Sequence, residues 1–539
     1  MMITVAQGMV EALVHEGVSV VFGYPGAAIC PFYDSLAGSP IHHVLVRQEQ
    51  NAGHAASGYA RVSGQPGVVV VTSGPGATNL ITGLATAYMD SIPIVAITGQ
   101  VNRDQIGRDV FQEADITGAA EPFTKYSWLV KDPTQIPRIM KEAFYIASSG
   151  RPGPVLIDIP FDVQKEMIEF NYPDTVNIRG YKPTVSGNPP QIRRVADALM
   201  ESYRPLICLG GGVLAAGAGG QVLSLAEQCQ VPMVSTMMGL SAVPSGHPLF
   251  YGMLGMHGNS AANFAVHNAD LLVIIGARAG DRAMTSPGVV EKRARVVHID
   301  VDPAEIGKNV GAAIPLVGDA KNVVTQLLGC TGRCGSGEWI RLLEEKRQAV
   351  RYDLSPRQGS VNPRVFVRGL SQQLSPDAVV AADVGQNQIW AANHLSFQNG
   401  RFLTSGGMGT MGYSVPAAVG AKLAAPDRQT VVICGDGSFQ MQMNELATIC
   451  QEGLNVKIVV MKNGRLGMVR ELQQNQYGGT FSGVFLDGSP DFLKLAAAYG
   501  IPCARLSDET DIPLAVSEML QSEGPYLLEC VVDPDESSI

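Results

Sequence analysis

The sequence predicts an α/β protein with three domains, each built around a doubly wound parallel sheet. Three observations predict this fold. Short apolar runs of strand length alternate with helix-like stretches, which is the order expected of parallel sheets covered by helices on both faces. The length of 539 residues corresponds to about three or four domains. Two linker-like stretches, residues 171–190 and 330–362, divide the chain into three parts.

The first predicted domain covers residues 1–168. After an N-terminal amphipathic helix, four apolar runs are predicted to be strands, at residues 18–22, 44–46, 68–72 and 94–98. Two of these runs lead into glycine-containing turns, residues 23–26 and 73–79, which would leave backbone groups open at one edge of the sheet. The helix predicted at residues 47–61 is rich in small side chains, so we expect it to pack very closely against a neighbour.

The second predicted domain covers residues 190–330, and the third covers residues 362–539. Strand-like runs of the second domain lie at residues 205–209, 233–236, 270–276 and 296–300, and the first of these ends in three glycines. Those of the third domain lie at residues 379–382, 430–434, 456–461 and 527–532. The first and third domains share the order strand, glycine-rich turn, helix and strand, which suggests a duplication.

The segment from Gly435 to Asn463 carries the clearest chemical signal of the third domain. Asp436 follows one predicted strand and Asn463 follows the next, with helical periodicity at residues 443–452 between them. Because α/β proteins bind ligands at the carboxyl edge of a parallel sheet, both side chains should lie at a binding edge. Gly435 and Gly437 let the backbone approach an anion, and Asp and Asn oxygens suit a Mg²⁺ ion that also holds phosphate. From these residues alone, an ordinary strand–turn–helix junction is the alternative.

Charge and cysteine content exclude several classes of function. The formal net charge is −10 and the pI is near 5.5, without a basic cluster, which argues against nucleic acid or an anionic membrane surface as partner. The nine cysteines are scattered, mostly in apolar runs, which is typical of a reducing compartment and not of a disulfide framework. No apolar run reaches transmembrane length and no targeting segment is recognisable, so the sequence predicts a cytoplasmic protein.

Seven motifs follow one another along the chain and fall in all three domains. They are Phe22-Gly23-Tyr24-Pro25-Gly26, Glu49-Gln50 with Gly58-Tyr59-Ala60-Arg61, Ser73-Gly74-Pro75-Gly76-Ala77-Thr78-Asn79, Gly150-Arg151-Pro152-Gly153-Pro154, Met253-Leu254-Gly255-Met256-His257-Gly258, His298-Ile299-Asp300-Val301-Asp302 and Gly435-Asp436-Gly437-Ser438. Together they resemble the thiamine-diphosphate enzymes of the acetolactate synthase family, specifically the large catalytic subunit. The resemblance covers essentially the whole chain and implies a pyrimidine-binding, a central FAD-type and a diphosphate-binding domain.

The resemblance implies a thiamine-diphosphate site made by the first and third domains of two subunits, and hence a homodimer or homotetramer. Glu49 matches the glutamate that hydrogen-bonds the pyrimidine ring of the cofactor. On the residues alone, it could also be a solvated first-turn glutamate. Asp436 and Asn463 match magnesium ligands, with the backbone carbonyl of Arg465 beside them. The remaining cofactor contacts that the resemblance implies are Pro25, Gly26, Gly385, Gln386, Asn387, Gly409, Met411, Gly435, Gly437, Ser438 and Met468.

For the central domain the resemblance implies a structural FAD. The contacts carried over are Arg151, Gly210, Gly211, Gly212, Thr236, Met237, His257, Gly276, Arg278, Asp300 and Asp319. The family often has Arg-Phe-Asp-Asp-Arg where this chain reads Arg278-Ala279-Gly280-Asp281-Arg282. Three glycines after a strand are also compatible with a bare strand end.

The resemblance also implies residues that contact substrate. Gln112 and Lys125 match residues that line the approach to the cofactor. Arg282 matches the arginine that anchors the carboxylate of the second 2-keto acid, and a guanidinium is well shaped for that task. Leu472 stands where many members carry a tryptophan that favours 2-ketobutyrate, so we expect pyruvate as the main acceptor.

The implied function is that of an acetolactate synthase in branched-chain amino acid biosynthesis. Such an enzyme decarboxylates pyruvate with thiamine diphosphate and Mg²⁺ and ligates the hydroxyethyl unit to a second 2-keto acid, mainly pyruvate, to give 2-acetolactate. A small regulatory subunit is a further partner that the family suggests. Two alternatives stay open: another thiamine-diphosphate 2-keto acid decarboxylase or lyase, and a non-catalytic paralogue. A nicotinamide dehydrogenase is disfavoured, because Asn79 stands where the dinucleotide fingerprint needs a glycine.

Overall fold

The computed structural model describes residues 1–539 and contains three six-stranded sheets, one in each third of the chain. All strand pairs within these sheets are parallel, and helices lie between successive strands. The predicted α/β class with three parallel-sheet domains is therefore confirmed. None of the helices has the length and apolar character needed to cross a lipid bilayer.

The first domain has the strand order β3-β2-β4-β5-β7-β6, with a small antiparallel pair of β1 and β8 at its side. Its strands are β1 (Met2–Thr4), β2 (Val20–Tyr24), β3 (His42–Leu45), β4 (Gly67–Val71), β5 (Ile94–Gln100), β6 (Tyr126–Leu129), β7 (Val155–Pro160) and β8 (Met167–Glu169). Its helices are α1 (Val5–His15), α2 (Cys30–Leu36), α3 (Glu49–Ser63), α4 (Pro75–Asp90), α5 (Ile116–Ala120), α6 (Ile136–Ser148) and α7 (Phe161–Gln164).

The central domain has the strand order β11-β10-β9-β12-β13-β14. Its strands are β9 (Pro205–Leu209), β10 (Met233–Ser235), β11 (Phe250–Met253), β12 (Leu271–Ile275), β13 (Arg295–Asp300) and β14 (Ile314–Val317). Its helices are α8 (Pro189–Glu201), α9 (Gly211–Ala215), α10 (Gly219–Cys229), α11 (Ser260–Asn268), α12 (Pro287–Arg293) and α13 (Ala320–Leu328), and the charged helix α14 (Gly337–Ala349) follows.

The third domain has the strand order β16-β15-β17-β18-β20-β19. Its strands are β15 (Val379–Ala382), β16 (Arg401–Leu403), β17 (Thr430–Gly435), β18 (Val456–Lys462), β19 (Cys503–Leu506) and β20 (Tyr526–Val531). Its helices are α15 (Pro363–Gln373), α16 (Gln386–His394), α17 (Ser414–Ala424), α18 (Asp436–Gln442), α19 (Leu446–Gln451), α20 (Gly467–Gln476), α21 (Phe492–Ala498) and α22 (Ile512–Gln521).

The first and third sheets have the same topology. In each, the first long strand lies between the second and third, and the last strand lies inside the one before it. The repeated order of elements in the sequence thus corresponds to a repeated order in space. In all three sheets the chain reverses its direction of winding between two adjacent strands, at β2/β4, β9/β12 and β15/β17. Ligands of open α/β sheets bind at the carboxyl end of such pairs, so each sheet offers one candidate edge.

The helix between β17 and β18 begins earlier than its periodicity predicts. Apolar periodicity is visible only at residues 443–452, whereas α18 begins at Asp436, the residue that the sequence predicts to open the crossover helix. A short 3-10 turn, Met443–Glu445, then separates α18 from α19. The first turn of α18 shows no apolar periodicity, because the glycine and serine of the Gly-Asp-Gly-Ser turn do not contribute to an apolar stripe.

Two helices join the first domain to the third by backbone contact. A Cβ on Gly58 of α3 would lie 1.9 Å from the carbonyl oxygen of Ala417 in α17. A Cβ on Gly420 of α17 would lie 1.8 Å from the carbonyl oxygen of Ala55 in α3. The close packing expected from the small side chains of α3 is confirmed, and it leaves no space for even one methyl group.

We predict that Gly420→Ala disrupts this contact and lowers the melting temperature, because the added methyl group must push two helix backbones apart. The cost should exceed about 2 kcal/mol of unfolding free energy, measured by denaturant unfolding. Gly220→Ala is the matched control. Gly220 is also helical, but nothing lies within 4 Å of the position of its Cβ, so alanine should be neutral or stabilising there. Equal melting temperatures for the Gly420 variant and the wild type would contradict the packing argument.

Candidate active site

Glu49 lies at the carboxyl edge of the first sheet, as the first residue of α3. Its carboxylate accepts a hydrogen bond of 3.0 Å from Nδ2 of Asn79, in the first turns of α4. A Cβ on Gly76 would lie only 3.4 Å from Oε1 of Glu49 and 2.7 Å from Cγ2 of Thr72. The absence of a side chain at Gly76 therefore leaves the carboxylate open on that side, while Asn79 fixes its orientation.

The turn after β2 belongs to the same edge. Pro25 is exposed, and a Cβ on Gly26 would lie 2.5 Å from Cγ2 of Thr72. The hydroxyl of Thr72 is buried and has no hydrogen-bond partner within the chain. A buried polar atom without a partner costs free energy, which fits a site that gains a polar group when a ligand binds.

Gln112 is brought to this edge by a strained loop. Its backbone φ is +60°, in the left-handed region that residues other than glycine rarely adopt. The loop packs on Gly74, where a Cβ would lie 2.9 Å from the Cα of Gln112. Phe111 beside it is 87% exposed, although a large apolar side chain is normally covered. Strain and an exposed aromatic ring both favour a functional loop.

Asp436 and Asn463 lie together at the carboxyl edge of the third sheet. The carboxylate of Asp436 is 1% exposed and accepts the amides of Gly464 (2.7 Å) and Gly437 (3.0 Å). Burial raises the pKa of Asp436 to about 6, against the lowering effect of these two amides. Asn463 accepts the amide of Arg465 at 3.0 Å through Oδ1. Adjacent parallel strands β17 and β18 produce this arrangement, since Gly435 pairs with Met461.

The other predicted cofactor residues of the third domain surround the same turn. A Cβ on Gly435 would lie 3.3 Å from Oδ1 of Asn387, and one on Gly437 would lie 3.7 Å from Cε of Met411. Gln386 accepts a 3.4 Å hydrogen bond from Nδ2 of Asn463. Ser438 closes the turn by accepting the amide of Gly435 at 3.2 Å. The backbone at Gly385 and Gly409 has φ of 147° and 69°, and Met468 is the second residue of α20.

The side chain of Arg465 is occupied elsewhere. Its guanidinium forms an ion pair with Asp535 at 2.9 Å and lies over the ring of Phe485. Only the backbone of Arg465 is thus free to face the Asp436 cluster. No group of three or more His, Cys, Asp or Glu side chains is arranged to hold a metal ion, so a cation at Asp436 would depend on amide, carbonyl and external oxygens.

Within one chain, the residues on either side of Glu49 hydrogen-bond Glu445, in the 3-10 turn that follows α18, and not Asp436. The amide of Arg47 and the side-chain amide of Asn51 both donate to Glu445, at 2.7 Å. Asp436 is the first of the seven residues of α18, so roughly 10 Å of helix lies between it and the 3-10 turn that carries Glu445.

In the central domain the glycine turn packs on the neighbouring strand end. Gly210 and Gly212 donate their amides to Ile275 and Gly276, each at 2.9 Å. The φ of Gly276 is +58°, and a Cβ there would lie 2.6 Å from the Cα of Gly212. A Cβ on Gly211 would instead lie 3.3 Å from the Cβ of Met238. This close packing explains the glycines at 212 and 276 structurally, and a bound FAD stays a prediction.

Further central residues line the carboxyl edge of that sheet. Thr236 and Met237 follow β10, and next to them the buried hydroxyl of Ser235 has no partner. Nδ1 of His257 is likewise buried without a partner, and burial lowers the pKa of His257. Asp300 ends β13 and accepts the amide of Asp302 at 2.9 Å. Asp319, by contrast, has an ordinary structural role as the N-cap of α13.

The predicted arginines of this region differ in their surroundings. Arg151 forms an ion pair with Glu305 at 2.7 Å and bonds Ser91 at 2.8 Å, so it links the first and central domains. Arg278 approaches the third domain, where its Nη2 lies 3.0 Å from the position of a Cβ on Gly407. The side chain of Arg282 is 71% exposed, and its charged neighbour is the exposed Asp281 at 3.6 Å. Of the three, Arg282 is the guanidinium available to an incoming carboxylate.

Lys125 is held by backbone carbonyls at the end of α6. Its Nζ donates to the carbonyls of Ile146 and Ser149 and to the hydroxyl of Tyr181, the last two at 2.7 and 2.9 Å. Burial lowers the pKa of Lys125 to about 8. All three protons of an ammonium group are thereby engaged. The structure gives Lys125 an anchoring role between the first domain and the linker, and a contact with substrate stays a prediction.

Comparison with known proteins shows that all three domains have counterparts in one enzyme family. The N-terminal TPP-binding domain of thiamine pyrophosphate enzymes matches residues 3–119, the central domain matches residues 192–327, and the C-terminal TPP-binding domain matches residues 383–530. A probable acetolactate synthase large subunit of Methanocaldococcus jannaschii is 45% identical over 99% of this chain and 92% of its own length. An acetolactate synthase of Arthrospira platensis is 44% identical, over 99% and 95%. The acetolactate synthase large subunit of Corynebacterium glutamicum is 42% identical, over 99% and 87%.

The chain belongs to the acetolactate synthase family of thiamine pyrophosphate enzymes. The family resemblance drawn from the sequence is thereby confirmed. So is thiamine diphosphate as the cofactor of the family to which the chain belongs. The individual residue roles remain predictions.

Three side chains near the family's cofactor edges were not singled out from the sequence. Asn79 bonds Glu49, and Thr72 carries the unpartnered hydroxyl. Asp383 follows β15 and accepts the amides of Gly412 and Ser414, at 2.8 and 2.9 Å. An acid directly after an apolar strand is a signal that could have pointed to Asp383. Asn79 and Thr72 become visible only when α4 and the turn at Gly26 are seen together.

We predict that Lys125→Met lowers the stability of this family member, because it leaves the carbonyl of Ile146 without this donor and removes one donor each from the Ser149 carbonyl and the Tyr181 hydroxyl. The expected loss is about 2 kcal/mol of unfolding free energy, measured by thermal or denaturant unfolding. Tyr181→Phe should act in the same direction with a smaller effect, and the exposed Lys131→Met is the control. An unchanged melting temperature combined with lost turnover would instead favour a chemical role for Lys125.

Proposed function

We propose that this protein is an acetolactate synthase that decarboxylates pyruvate and joins the two-carbon unit to a second 2-keto acid, mainly pyruvate, to give 2-acetolactate. The observation that carries the proposal is the position of Glu49 at a glycine-lined sheet edge, oriented by Asn79, in a chain similar over 99% of its length to acetolactate synthases. The presence of both Glu49 and the Asp436 turn in the sequence also disfavours a non-catalytic paralogue.

Thiamine diphosphate, when bound, supplies the nucleophilic carbon and the electron sink that decarboxylation requires. The residues of the chain bind and orient it. Glu49 would hydrogen-bond a pyrimidine ring nitrogen through a proton that the carboxyl group and the nitrogen share, and Asn79 keeps the carboxyl group in one orientation. Gly26 and Gly76 let their turns pack directly on Thr72, and the unpartnered hydroxyl of Thr72 would gain a partner from a ring bound at this edge.

Mg²⁺ is the second cofactor of the proposal. Asp436 and Asn463 offer a carboxylate and an amide oxygen, and the backbone carbonyl of Arg465 is the third ligand from the chain. Diphosphate and water oxygens complete the octahedral shell that Mg²⁺ requires. The residues that would hold the diphosphate are Gly385, Gln386, Asn387, Gly409, Met411, Gly435, Gly437, Ser438 and Met468, and the contacts of Asn387, Met411 and Gln386 around the Asp436 turn support this.

The complete site belongs to two chains. Glu49 of one chain would lie opposite Asp436 of another. The support is that, within a chain, the residues around Glu49 contact Glu445, in the 3-10 turn after α18. A homodimer is then the smallest active form, and a homotetramer would pair two such dimers. Two of the relatives are named large subunits, which supports a small regulatory subunit as a further partner.

FAD in the central domain is also part of the proposal. Gly210, Gly211, Gly212 and Gly276 form the switch point of that sheet, where dinucleotides bind in comparable folds. The unpartnered atoms of Ser235 and His257 fit a polar ligand beside Thr236 and Met237. Flavin here would have a structural role, held by Arg278, Asp300 and Asp319 of the central domain and by Arg151 of the first domain.

Substrate binding is assigned to the exposed groups around the site. Arg282 binds the carboxylate of the acceptor 2-keto acid, because its guanidinium has no buried partner. Gln112 and Lys125 line the approach. Leu472 is 46% exposed on α20 and offers a small apolar wall, which suits pyruvate as acceptor. Buried cysteines such as Cys208, Cys434 and Cys530 support a cytoplasmic, reducing location.

The experiment that tests the function is product analysis after incubation with pyruvate, thiamine diphosphate and Mg²⁺, with and without FAD. We expect CO₂ release with 2-acetolactate as the product. Glu49→Gln should reduce turnover about a hundredfold or more while the cofactor still binds, since proton transfer typically contributes that factor. Glu121→Gln, an exposed acid of the same domain, is the control. Release of CO₂ with only free acetaldehyde would make the protein a decarboxylase and refute the proposal.

A further inference from the structure

The last turns of α4 grip a loop of the third domain, residues 405–411, which we call the cofactor loop. Asp90, the final residue of α4, accepts the amide of Gly407 at 2.7 Å through Oδ1 and the amide of Gly406 at 3.2 Å through Oδ2. One turn earlier, the hydroxyl of Thr86 lies 2.8 Å from that of Thr410. Thr86 and Asp90 are four residues apart, so they lie on one face of the helix.

The Thr86–Thr410 bond has a defined direction. Thr86 donates its hydroxyl proton to the carbonyl of Thr82 at 2.8 Å. Its oxygen can then only accept, so Thr410 must be the donor. Thr410 is held a second time, because its amide donates to Ser405 at 3.0 Å. In all three hydrogen bonds between α4 and the cofactor loop, the helix therefore supplies the acceptor and the loop supplies the donor.

The cofactor loop contacts the Asp436 turn directly. Met411 follows Thr410, and its Cε lies 3.7 Å from the position of a Cβ on Gly437, next to Asp436. The far end of the loop is held within the third domain, where Asp383 accepts the amide of Gly412 at 2.8 Å. The near end depends on α4, which belongs to another domain. Arg278 of the central domain also approaches there, with Nη2 3.0 Å from the position of a Cβ on Gly407.

We propose that Asp90, assisted by Thr86, is a positioning residue that sets the cofactor loop for binding thiamine diphosphate. The inference rests on the proposed function, which assigns Gly409 and Met411 of this loop to the cofactor pocket. Two amides that converge on one carboxylate fix the start of the loop, and Asp383 fixes its end. Met411 is thereby held against the Asp436 turn before any ligand arrives. Such preorganisation strengthens binding, because the loop need not be ordered when the ligand binds.

The test compares Asp90→Asn, Asp90→Glu and Thr86→Val in the full chain. Asparagine keeps the shape but replaces one acceptor with an NH₂ group that faces an amide N–H. We expect thiamine diphosphate to bind about tenfold more weakly by calorimetry, with Mg²⁺ present, since hydrogen bonds to charged groups are strong. Hydrogen exchange of the cofactor-free protein should rise within residues 405–411. Asp90→Glu keeps both acceptors and should restore part of the affinity, and Thr86→Val should give a smaller loss.

Asp132→Asn is the matched control, because the Asp132 carboxylate bonds only Thr134 and Gln135 in its own loop. It should leave both measurements unchanged. Cofactor affinity of Asp90→Asn within twofold of wild type would overturn the inference. So would faster exchange spread over the first domain, which would mark Asp90 as generally structural. Failure of the proposed function is distinguishable: the wild type would bind thiamine diphosphate without forming acetolactate, while the loop effects of Asp90 persisted.

Discussion

The backbone contact between α3 and α17 determines how the first domain lies relative to the third. Gly58 and Gly420 bring each helix against a carbonyl of the other, so the first and third domains cannot shift without breaking the contact. Since Glu49 begins α3, the same packing sets where the Glu49 carboxylate lies relative to the third domain. It brings the start of α3 to Glu445 and leaves Asp436 at the other end of α18. This arrangement is one support for the proposal that the complete site is shared between two chains.

The three sheets each present a ligand edge where the direction of winding reverses. In the first and third sheets these edges hold the Glu49 and Asp436 clusters, and in the central sheet they hold Gly210 and Gly276. Two identical strand orders thus carry different side chains at their edges, Glu49 in one and Asp436 with Asn463 in the other. Helix α4 connects them physically, because Asn79 near its start bonds Glu49 while Asp90 at its end holds the cofactor loop.

Much of this arrangement follows from local sequence signals. Apolar runs ending in glycine turns indicate parallel strands with open edges, and Asp436 and Asn463 after adjacent strands point to one shared edge. What local signals miss depends on contacts distant in sequence. The acceptors around Lys125 come from the end of α6 and from Tyr181, and the partners of Asp90 are more than 300 residues away.

The most direct test of a site shared between chains is complementation between two inactive variants. Glu49→Gln and Asp436→Asn are each expected to be inactive, and their co-expressed mixture should be measured for acetolactate formation. A mixed dimer has one site with both substitutions and one site with neither, so random pairing restores about a quarter of wild-type activity. Activity of the mixture no higher than that of either variant alone, with mixed dimers demonstrably present, would contradict the shared site and place Glu49 and Asp436 of one chain in the same centre.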